Sequence, residues 1–184
     1  MPVRHADPAR DAAACASIYA QYVTGSPASF ELDPPSASEM AERIEATSAG
    51  HPWLVLERSG SVVGYAYGSQ HHARPAYRWT ADVTVYIDPA HRGTGAGREL
   101  YEPLIELLRR QRIRIVCAGI TLPNDASVGL HEALGFEAVG IYRDVGWKAG
   151  AWYDVGWWQL DLGAPGDPPA EPLGPQRLDS GVHP

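Results

Sequence analysis

Apolar positions recur along the chain with two different periods, and together they predict a mixed α/β domain. Residues 8–25 and 95–112 carry apolar side chains at helical spacing, whereas residues 80–87 are dense in β-branched residues, as strands are. Two further apolar runs, 53–57 and 62–67, are split by Arg-Ser-Gly-Ser, which is typical of a β-hairpin.

Local signals predict where several helices begin. Asp7-Pro8 reads as an N-cap followed by proline at the first helical position. Ser36 and Glu39 have the spacing of a capping box. Pro103 lies inside a predicted helix and lacks a backbone N–H, so we expect a kink or a late start there. The predicted order is strand 3–5, helices 8–25 and 36–50, strands 53–57, 62–67 and 80–87, helix 95–112, strand 113–120, helix 125–134, and strands 137–142 and 152–162.

Length and composition predict one domain followed by a tail. The chain has 184 residues, enough for a single hydrophobic core. Residues 1–163 carry the periodic pattern, whereas 164–184 are rich in Pro and Gly and are predicted to be a poorly ordered tail.

The charge and hydropathy patterns exclude several classes of partner. The formal net charge of -7 disfavours a nucleic-acid partner. No apolar run approaches the roughly 18 residues of a membrane span, and no secretory signal is visible, so we expect a cytoplasmic protein without a membrane partner. Cys15 and Cys117 lack metal or redox spacing and are predicted to be buried thiols, with no metal site.

A glycine-rich segment between a strong strand and a strong helix predicts a phosphate-binding turn. Glycines there allow the backbone to curl, and the following helix N-terminus offers free N–H groups and a positive dipole end. Neither the dinucleotide fingerprint nor the Walker spacing fits. The turn consists of Arg92, Gly93, Thr94, Gly95, Ala96 and Gly97, and Arg98 follows it.

This turn, together with three other segments, resembles the GNAT superfamily of N-acetyltransferases and, more narrowly, the phosphinothricin acetyltransferase family. The segments are A-R-P-A-Y-R-W-T at 73–80, L-P-N-D-A-S at 122–127 leading into H-E-A-L-G-F at 131–136, and W-Y-D-V-G at 152–156. The resemblance covers about residues 3–162. It implies a central mixed sheet splayed between its fourth and fifth strands, with acetyl-CoA as co-substrate in the splay.

The resemblance also implies where acetyl-CoA is held. The strand around Tyr86 would pair with the pantetheine arm, the glycine turn would hold the pyrophosphate, and Asn124 would meet the pantetheine or its thiol end. The implied cofactor-binding residues are Val85, Tyr86, Ile87, residues 92–98 as named above, Asn124 and Ser127.

Two residues carry the implied catalysis. Asp82 stands where the family has a glutamate that takes a proton from the amine. Since aspartate reaches about 1.5 Å less, one C–C bond, we expect it to act through a water or on a more deeply seated substrate. The alternative is a solvated Asp82, or one that holds Arg74. His131 would donate a proton to the thiolate or orient the site, and a structural histidine is the alternative.

The acceptor pocket is implied at Phe30, Arg74 and Tyr77. Arg74 would offer a fork to a carboxylate or phosphinate, and the two rings would shape the walls. His71 and His72 stand where the family shows a bulky aromatic and a basic residue. They are either a pocket pair or a surface pair.

The function implied is N-acetylation of an amino-acid-like substrate such as phosphinothricin, methionine sulfone or methionine sulfoximine, with a role in antibiotic or herbicide resistance. A polyamine, an aminoglycoside or a protein N-terminus is the alternative acceptor, although a cationic acceptor should prefer a carboxylate-lined pocket. A non-catalytic acetyl-CoA sensor is a second class. A homodimer is also expected, because aromatic residues are enriched in interfaces and tryptophans cluster at Trp147, Trp152, Trp157 and Trp158.

Overall fold

Seven strands form one mixed sheet in the computed structural model, which describes residues 3–163 and 166–175. The sheet order is β1-β2-β3-β4-β5-β7-β6. Neighbouring strands are antiparallel except for β4 and β5, which are parallel. The elements are β1 (Val3–His5), α1 (Pro8–Gly25), α2 (Ala37–Ser48), β2 (Trp53–Arg58), β3 (Ser61–Gln70), β4 (Thr80–Ile87), α3 (Ala96–Arg110), β5 (Ile115–Leu122), α4 (Asp125–Ala133), β6 (Glu137–Lys148) and β7 (Ala151–Asp161).

The predicted helix starts follow from side chains that satisfy free backbone N–H groups. Asp7 caps α1 by accepting from the N–H of Ala9 at 2.9 Å. In α2, Ser36 accepts from the N–H of Glu39 at 3.2 Å, and the Glu39 carboxylate accepts from the N–H of Ser36 at 2.7 Å. The capping box is therefore confirmed, because both reciprocal bonds are present.

The helices bury an apolar core on each face of the sheet. Leu100, Leu104 and Leu108 of α3 are fully buried against one face. On the opposite face, Ile18 of α1 and Ile44 of α2 pack with residues of β2 and β3. The mixed α/β fold expected from the sequence is confirmed, with a core on each side of a sheet that is not closed.

β4 and β5 pair over only three residues. Thr80, Ala81 and Asp82 lie opposite Ile115, Val116 and Cys117, and no pairing continues beyond them. β4 remains paired to β3 as far as Ile87, and β5 remains paired to β7 as far as Leu122. The two central strands therefore separate after Asp82, as the resemblance implies.

β6 is longer than its apolar pattern predicts, because side-chain contacts stabilise it where its pairing with β7 is irregular. The register with β7 shifts between Tyr142 and Gly146. Asp154 of β7 stabilises this segment by accepting from the N–H of Asp144 at 2.9 Å and from the Arg143 guanidinium at 2.6 Å. Helix α3, for its part, begins well before Pro103 and continues through it, so the expected late start does not occur.

Part of the predicted tail makes specific contacts with the domain. Glu171 accepts two hydrogen bonds from the Arg78 guanidinium at 2.8 Å. Leu173 and Gln111 exchange two bonds at 2.9 Å, one between their backbones and one from the Gln111 side chain. Residues 164, 165 and 176–184 lie outside the described residues. Within the described ranges, no helix combines the length and apolarity that crossing a membrane requires.

The single lysine of the sequence anchors the loop after α1 to β6. Lys148 is buried, and its Nζ donates to the carbonyl oxygens of Val23 at 2.6 Å and Ser29 at 2.5 Å. In the same contact, a Cβ at Gly146 would lie 2.2 Å from the Phe30 ring. The ring therefore packs directly on the β6 backbone, which fixes residues 26–30.

Replacing Lys148 by methionine should destabilise the fold. Two buried carbonyl groups lose their donor. Hydrogen bonds to a charged group contribute about 1.5–3 kcal/mol each, and the free-energy cost of desolvating the ammonium group reduces this sum. We therefore expect a net loss of about 1–3 kcal/mol in the free energy of unfolding, measured by urea denaturation.

Arg143→Met on the same strand is the matched control. Arg143 pairs with Asp154 at an exposed position, so its loss should cost less than about 1 kcal/mol. Equal stability of the Lys148→Met variant and the wild type would show that the anchor contributes nothing.

Candidate active site

A cleft of about 730 Å³ passes between the separated strands β4 and β5. Its volume is ordinary for a small-molecule site. The lining includes both Val83, which belongs to the core under α3, and Thr84, its neighbour on β4. Because successive side chains of a strand point to opposite faces, the cleft reaches both sides of the sheet.

The glycine-rich turn places an open helix N-terminus at this cleft. Gly93 and Gly95 have φ values of 72° and 86°, in the left-handed region that a Cβ disfavours. Gly95 is the N-cap of α3, and no side chain caps the helix there. The first intrahelical bond is donated by Glu99. The preceding N–H groups of the first turn lack helical acceptors and suit an anion.

Most of the predicted cofactor residues are brought together by this arrangement. Thr94 is the exception: its hydroxyl donates to the His91 carbonyl at 2.7 Å and accepts from Arg58 at 2.8 Å, which closes the turn away from the cleft. The predicted residues that line the cleft are Val85, Tyr86, Ile87, Arg92, Gly93, Gly95, Ala96, Gly97, Arg98, Asn124 and Ser127.

The two arginines of the turn differ in their partners. The Arg92 guanidinium lies 4.8 Å above the centroid of the Tyr22 ring, a cation–π contact that leaves its N–H fork open to an anion. The Arg98 guanidinium donates to the Ala133 carbonyl at 3.0 Å and to Glu102 at 3.1 Å. Arg92 is therefore the better placed of the two for a charge-assisted contact with a phosphate.

His131 lines the cleft but has both ring nitrogens engaged. Its Nδ1 lies 2.7 Å from the Ser127 carbonyl oxygen, so Nδ1 donates and Nε2, 3.1 Å from the Tyr101 hydroxyl, accepts. The residue is 2% exposed, and this burial lowers its pKa. His131 is consequently a neutral side chain that orients Tyr101 and the first turn of α4, which Asn124 caps at 3.2 Å.

Tyr101 is a cleft residue that sequence reasoning missed. It is fully buried on α3, between the core positions Leu100 and Leu104, and its helical spacing indicates only packing. The residue lines the cleft, and its hydroxyl contacts His131. No local pattern signals this, because the two residues are 30 positions apart.

Asp82 is the last residue of β4 that pairs with β5, on the face opposite the α3 core. Its Oδ1 lies 2.7 Å from Nδ1 of His71, so the predicted alternative partner, Arg74, is not the one it has. Burial raises the pKa of Asp82, and the bond to His71 lowers it in part. A carboxylate with a raised pKa is a stronger base than an exposed aspartate.

Cys117 lies beside this pair. It is opposite Asp82 in the β4–β5 pairing, and the ligand atoms of His71, Asp82 and Cys117 lie within 4.8 Å of one another. Burial and the neighbouring Asp82 charge raise the pKa of Cys117 to about 11. The sulfur is therefore a protonated thiol at neutral pH, neither a nucleophile nor a ready metal ligand.

Aromatic rings form the walls around Asp82. The Tyr77 ring centroid is 4.8 Å from that of His72 and 5.9 Å from that of His71. The indole of Trp157 is 6.0 Å from the His71 ring. It lies over Gly119, where a Cβ would be 3.3 Å from the ring. His71 and His72 thus lie in a cluster of rings in which His71 is partly buried, whereas His72 and Tyr77 are exposed.

The three residues predicted to bind the acceptor differ in how they contact this region. Tyr77 contacts the histidines, and Phe30 packs on β6 at the end of the loop whose residues 26–28 line the cleft. Arg74 is exposed, precedes the short 3₁₀ turn Pro75–Tyr77, and makes no side-chain hydrogen bond within residues 3–163 and 166–175. Its guanidinium is open to a ligand.

Comparison with known proteins places these features in a family context. Residues 6–157 match the family described as "Acetyltransferase (GNAT) domain". The chain is 42% identical over 166 residues to a phosphinothricin N-acetyltransferase of Streptomyces viridochromogenes, covering 90% of this chain and 91% of that one. It is 37% identical to an L-methionine sulfoximine/L-methionine sulfone acetyltransferase of Salmonella typhimurium, covering 88% and 95%.

A solved structure is similar over the whole chain. It is a phosphinothricin acetyltransferase of Sinorhizobium meliloti in complex with acetyl-CoA. The TM-score is 0.86 at 34% sequence identity, and the likeness covers 100% of this chain and 97% of that one.

The burial of His131 predicts a pH dependence of stability. Its folded pKa is lowered from the ordinary 6.5, so the unfolded chain takes up a proton first as the pH falls. The free energy of unfolding should therefore decrease below about pH 6.5, by at most about 1.4 kcal/mol per pH unit. We expect the His131→Gln variant to show a shallower slope in urea unfolding between pH 7.5 and 5.5.

The contribution of a second buried histidine to the pH dependence must be measured separately. Burial also lowers the pKa of His51, so His51→Gln is the companion variant, and the two effects should add. Parallel stability curves for the wild type and His131→Gln would contradict the assignment of a neutral His131.

Proposed function

We propose, from the premise that the chain belongs to the GNAT family of acetyltransferases, that it acetylates the amino group of a small, amino-acid-like substrate. Membership of this family makes it an acetyl-CoA-dependent N-acetyltransferase. The observation that carries the proposal is the cleft between the separated strands. An uncapped helix N-terminus lies on it, and the Asp82–His71 pair lies where the two strands begin to separate, on the face of the sheet opposite the α3 core.

The cleft fits a long thioester carrier with a diphosphate. The N–H groups of the first turn of α3 and the Arg92 fork suit the diphosphate, where the two left-handed glycines bring the backbone close. The stretch of β4 after Asp82 has lost β5 as its partner. The Tyr22 hydroxyl bonds the N–H and C=O of Ile87 at 3.1 and 2.6 Å, so the backbone before Ile87 is the part available to an extended amide-bearing arm. Asn124 and Ser127 also line the cleft, which supports their predicted contact with the end of this arm.

The chemistry needs a base on the acceptor side. An α-ammonium group titrates near pH 7.7–8.0, so it must lose a proton before its lone pair attacks the thioester carbonyl carbon. The Asp82 carboxylate, with the His71 side chain bound to it, supplies the negative charge that favours this loss. The C–N bond then forms, the C–S bond breaks, and the second nitrogen proton goes to the departing thiolate.

His131 contributes mainly by position in this scheme. Its Nδ1 proton is bound to the Ser127 carbonyl, and Nε2 accepts from Tyr101. The predicted role as a direct proton donor requires one of these bonds to break, and it stays a prediction. In the geometry described, His131 fixes the Tyr101 hydroxyl beside the cleft.

The acceptor follows from the relatives and from the charge of the pocket. The two relatives are named for phosphinothricin and for methionine sulfoximine and sulfone, which are all amino-acid analogues. The open Arg74 guanidinium suits the carboxylate or phosphinate of such a molecule. A role in resistance and the cytoplasmic location remain predictions.

Purified protein with acetyl-CoA should release free thiol when phosphinothricin, methionine sulfone or methionine sulfoximine is added. A thiol reagent measures the release, and calorimetry measures acetyl-CoA binding without an acceptor. The same panel should include spermidine, an aminoglycoside and a peptide with a free N-terminus, all of which should react more slowly.

Two variants separate enzyme from sensor. Asp82→Asn should lower turnover by about 100-fold or more while acetyl-CoA affinity is kept, because Asp82 does not line the cleft. Asp161→Asn at the exposed end of β7 is the matched control and should behave as wild type. Acetyl-CoA binding without thiol release from any acceptor would favour the sensor.

The exposed apolar residues of β6 and β7 support a homodimer. β6 is an edge strand of the sheet. Trp147 of β6 lies opposite Trp152 of β7, and their ring centroids are 5.3 Å apart. The two residues are nevertheless 56% and 58% exposed. Tyr142 adds a further exposed ring. Trp158 is instead buried in the core, and Trp157 contacts His71. Two of the four predicted interface tryptophans therefore have other contacts.

Sedimentation equilibrium tests the dimer. The wild type should sediment at twice the mass of the 19.9 kDa chain, and the variant with both Trp147→Ser and Trp152→Ser should shift towards monomer because the apolar patch is lost. A monomeric wild type at micromolar concentration would rule the dimer out.

A further inference from the structure

The bond between His71 and Asp82 determines which atom of the pair is open to a substrate. The Asp82 carboxylate only accepts at neutral pH, so the Nδ1 atom of His71, 2.7 Å away, donates. That tautomer leaves the lone pair on Nε2. Within the described residues Nε2 has no hydrogen-bond partner, and it is not among the polar atoms sealed from solvent. The His71 side chain is 19% exposed.

We infer that His71 is the general base of the acetyl transfer: its Nε2 receives the proton of the acceptor ammonium, and Asp82 is the positioning residue behind it. Carboxylate on Nδ1 and an open Nε2 is the arrangement in which a histidine acts as a base, because the carboxylate fixes the tautomer and stabilises the imidazolium that forms. The inference rests on the proposed function and adds a catalytic residue to it.

The surroundings of His71 fit an acceptor amine. His72, Tyr77 and Trp157 place rings around the imidazole at centroid distances of 4.2, 5.9 and 6.0 Å. Trp157 also lies on Gly119, a residue of the cleft wall. One indole therefore borders both the base and the cleft. Aromatic faces also attract an ammonium group, which favours the charged acceptor before its proton is lost.

The location of Asp82 explains why a second group is needed. Its side chain is only partly exposed, and Oδ1 is taken by His71. Asp82 does not line the cleft, whereas Thr84, two residues further along the same face of β4, does. Two residues of strand span about 6.6 Å. His71 does not line the cleft either, but its ring contacts Trp157, which lies on Gly119 of the cleft wall. Because Oδ1 of Asp82 is already bound, the open Nε2 of His71 is the atom of the pair that is left for an amine.

The proton and electron balance is simple. The ammonium N–H bond breaks, its electron pair stays on nitrogen, and the proton joins the Nε2 lone pair to give an imidazolium beside the Asp82 carboxylate. The free amine attacks the thioester carbonyl carbon, and the thiolate leaves with the C–S electron pair. The second nitrogen proton goes to the thiolate, and His71 returns its proton to water.

His71→Asn tests the base directly. The Asn amide can still donate to Asp82 from nearly the position of Nδ1, but it has no basic atom in place of Nε2. We expect kcat at saturating acceptor to fall by about 100-fold or more, with the acetyl-CoA dissociation constant unchanged in calorimetry. His71→Gln is the second variant, for the case in which His71→Asn fails to bind acetyl-CoA. His5→Asn on β1, remote from the cleft, is the matched control and should keep wild-type kcat.

A double variant tests whether His71 and Asp82 act as one unit. If His71 and Asp82 act as one unit, the variant with both His71→Asn and Asp82→Asn should be no slower than the slower single variant. Full activity of His71→Asn, or losses that multiply in the double variant, would overturn the inference. An inactive wild type that binds acetyl-CoA would instead count against the proposed function, so the two failures are distinguishable.

Discussion

Parallel pairing of β4 with β5 that stops after Asp82 is the constraint on which the rest of the site depends. When two neighbouring strands separate, each loses the hydrogen-bond partners of its backbone on that side. Buried backbone N–H and C=O groups need other partners. Here each strand keeps its other neighbour, so the sheet survives the separation. Trp157 of β7 covers Gly119 beside the gap. Residues 83–87 and 118–121 of the separated strands line the cleft, and the Tyr22 hydroxyl bonds the backbone of Ile87 there.

The alternation of side chains along β4 divides the chemistry between two faces. Ala81 and Val83 pack towards α3, the helix whose N-terminus offers positive charge to an anion. Asp82 lies on the opposite face, where it accepts a hydrogen bond from His71. Although the formal net charge of the chain is -7, the helix end and Arg92 concentrate positive charge locally at the cleft.

Sequence reasoning succeeded where short-range physics decides the structure. The capping box of α2 and the glycine turn depend on residues a few positions apart, and both were predictable. The partners of Asp82 and Lys148 were not, because they depend on how distant segments meet: Lys148 contacts residues 119 and 125 positions away. The length of β6 was underestimated for the same reason, because Asp154 of another strand stabilises its irregular segment.

The charges on the acceptor side favour a zwitterion over a polycation. Glu31, near the end of the loop after α1, is already bound by both N–H arms of Arg43 at 2.7 and 3.0 Å, and this bond lowers its pKa. Asp82 is engaged with His71. A polyamine would therefore find a single, shared carboxylate here. An amino acid needs only one site for its ammonium and one cation for its acidic group, and Arg74 is an exposed cation without a side-chain partner in the described ranges. Repulsion between Arg74 and a second ammonium would cost a polyamine affinity, so these charges support the proposed amino-acid acceptor.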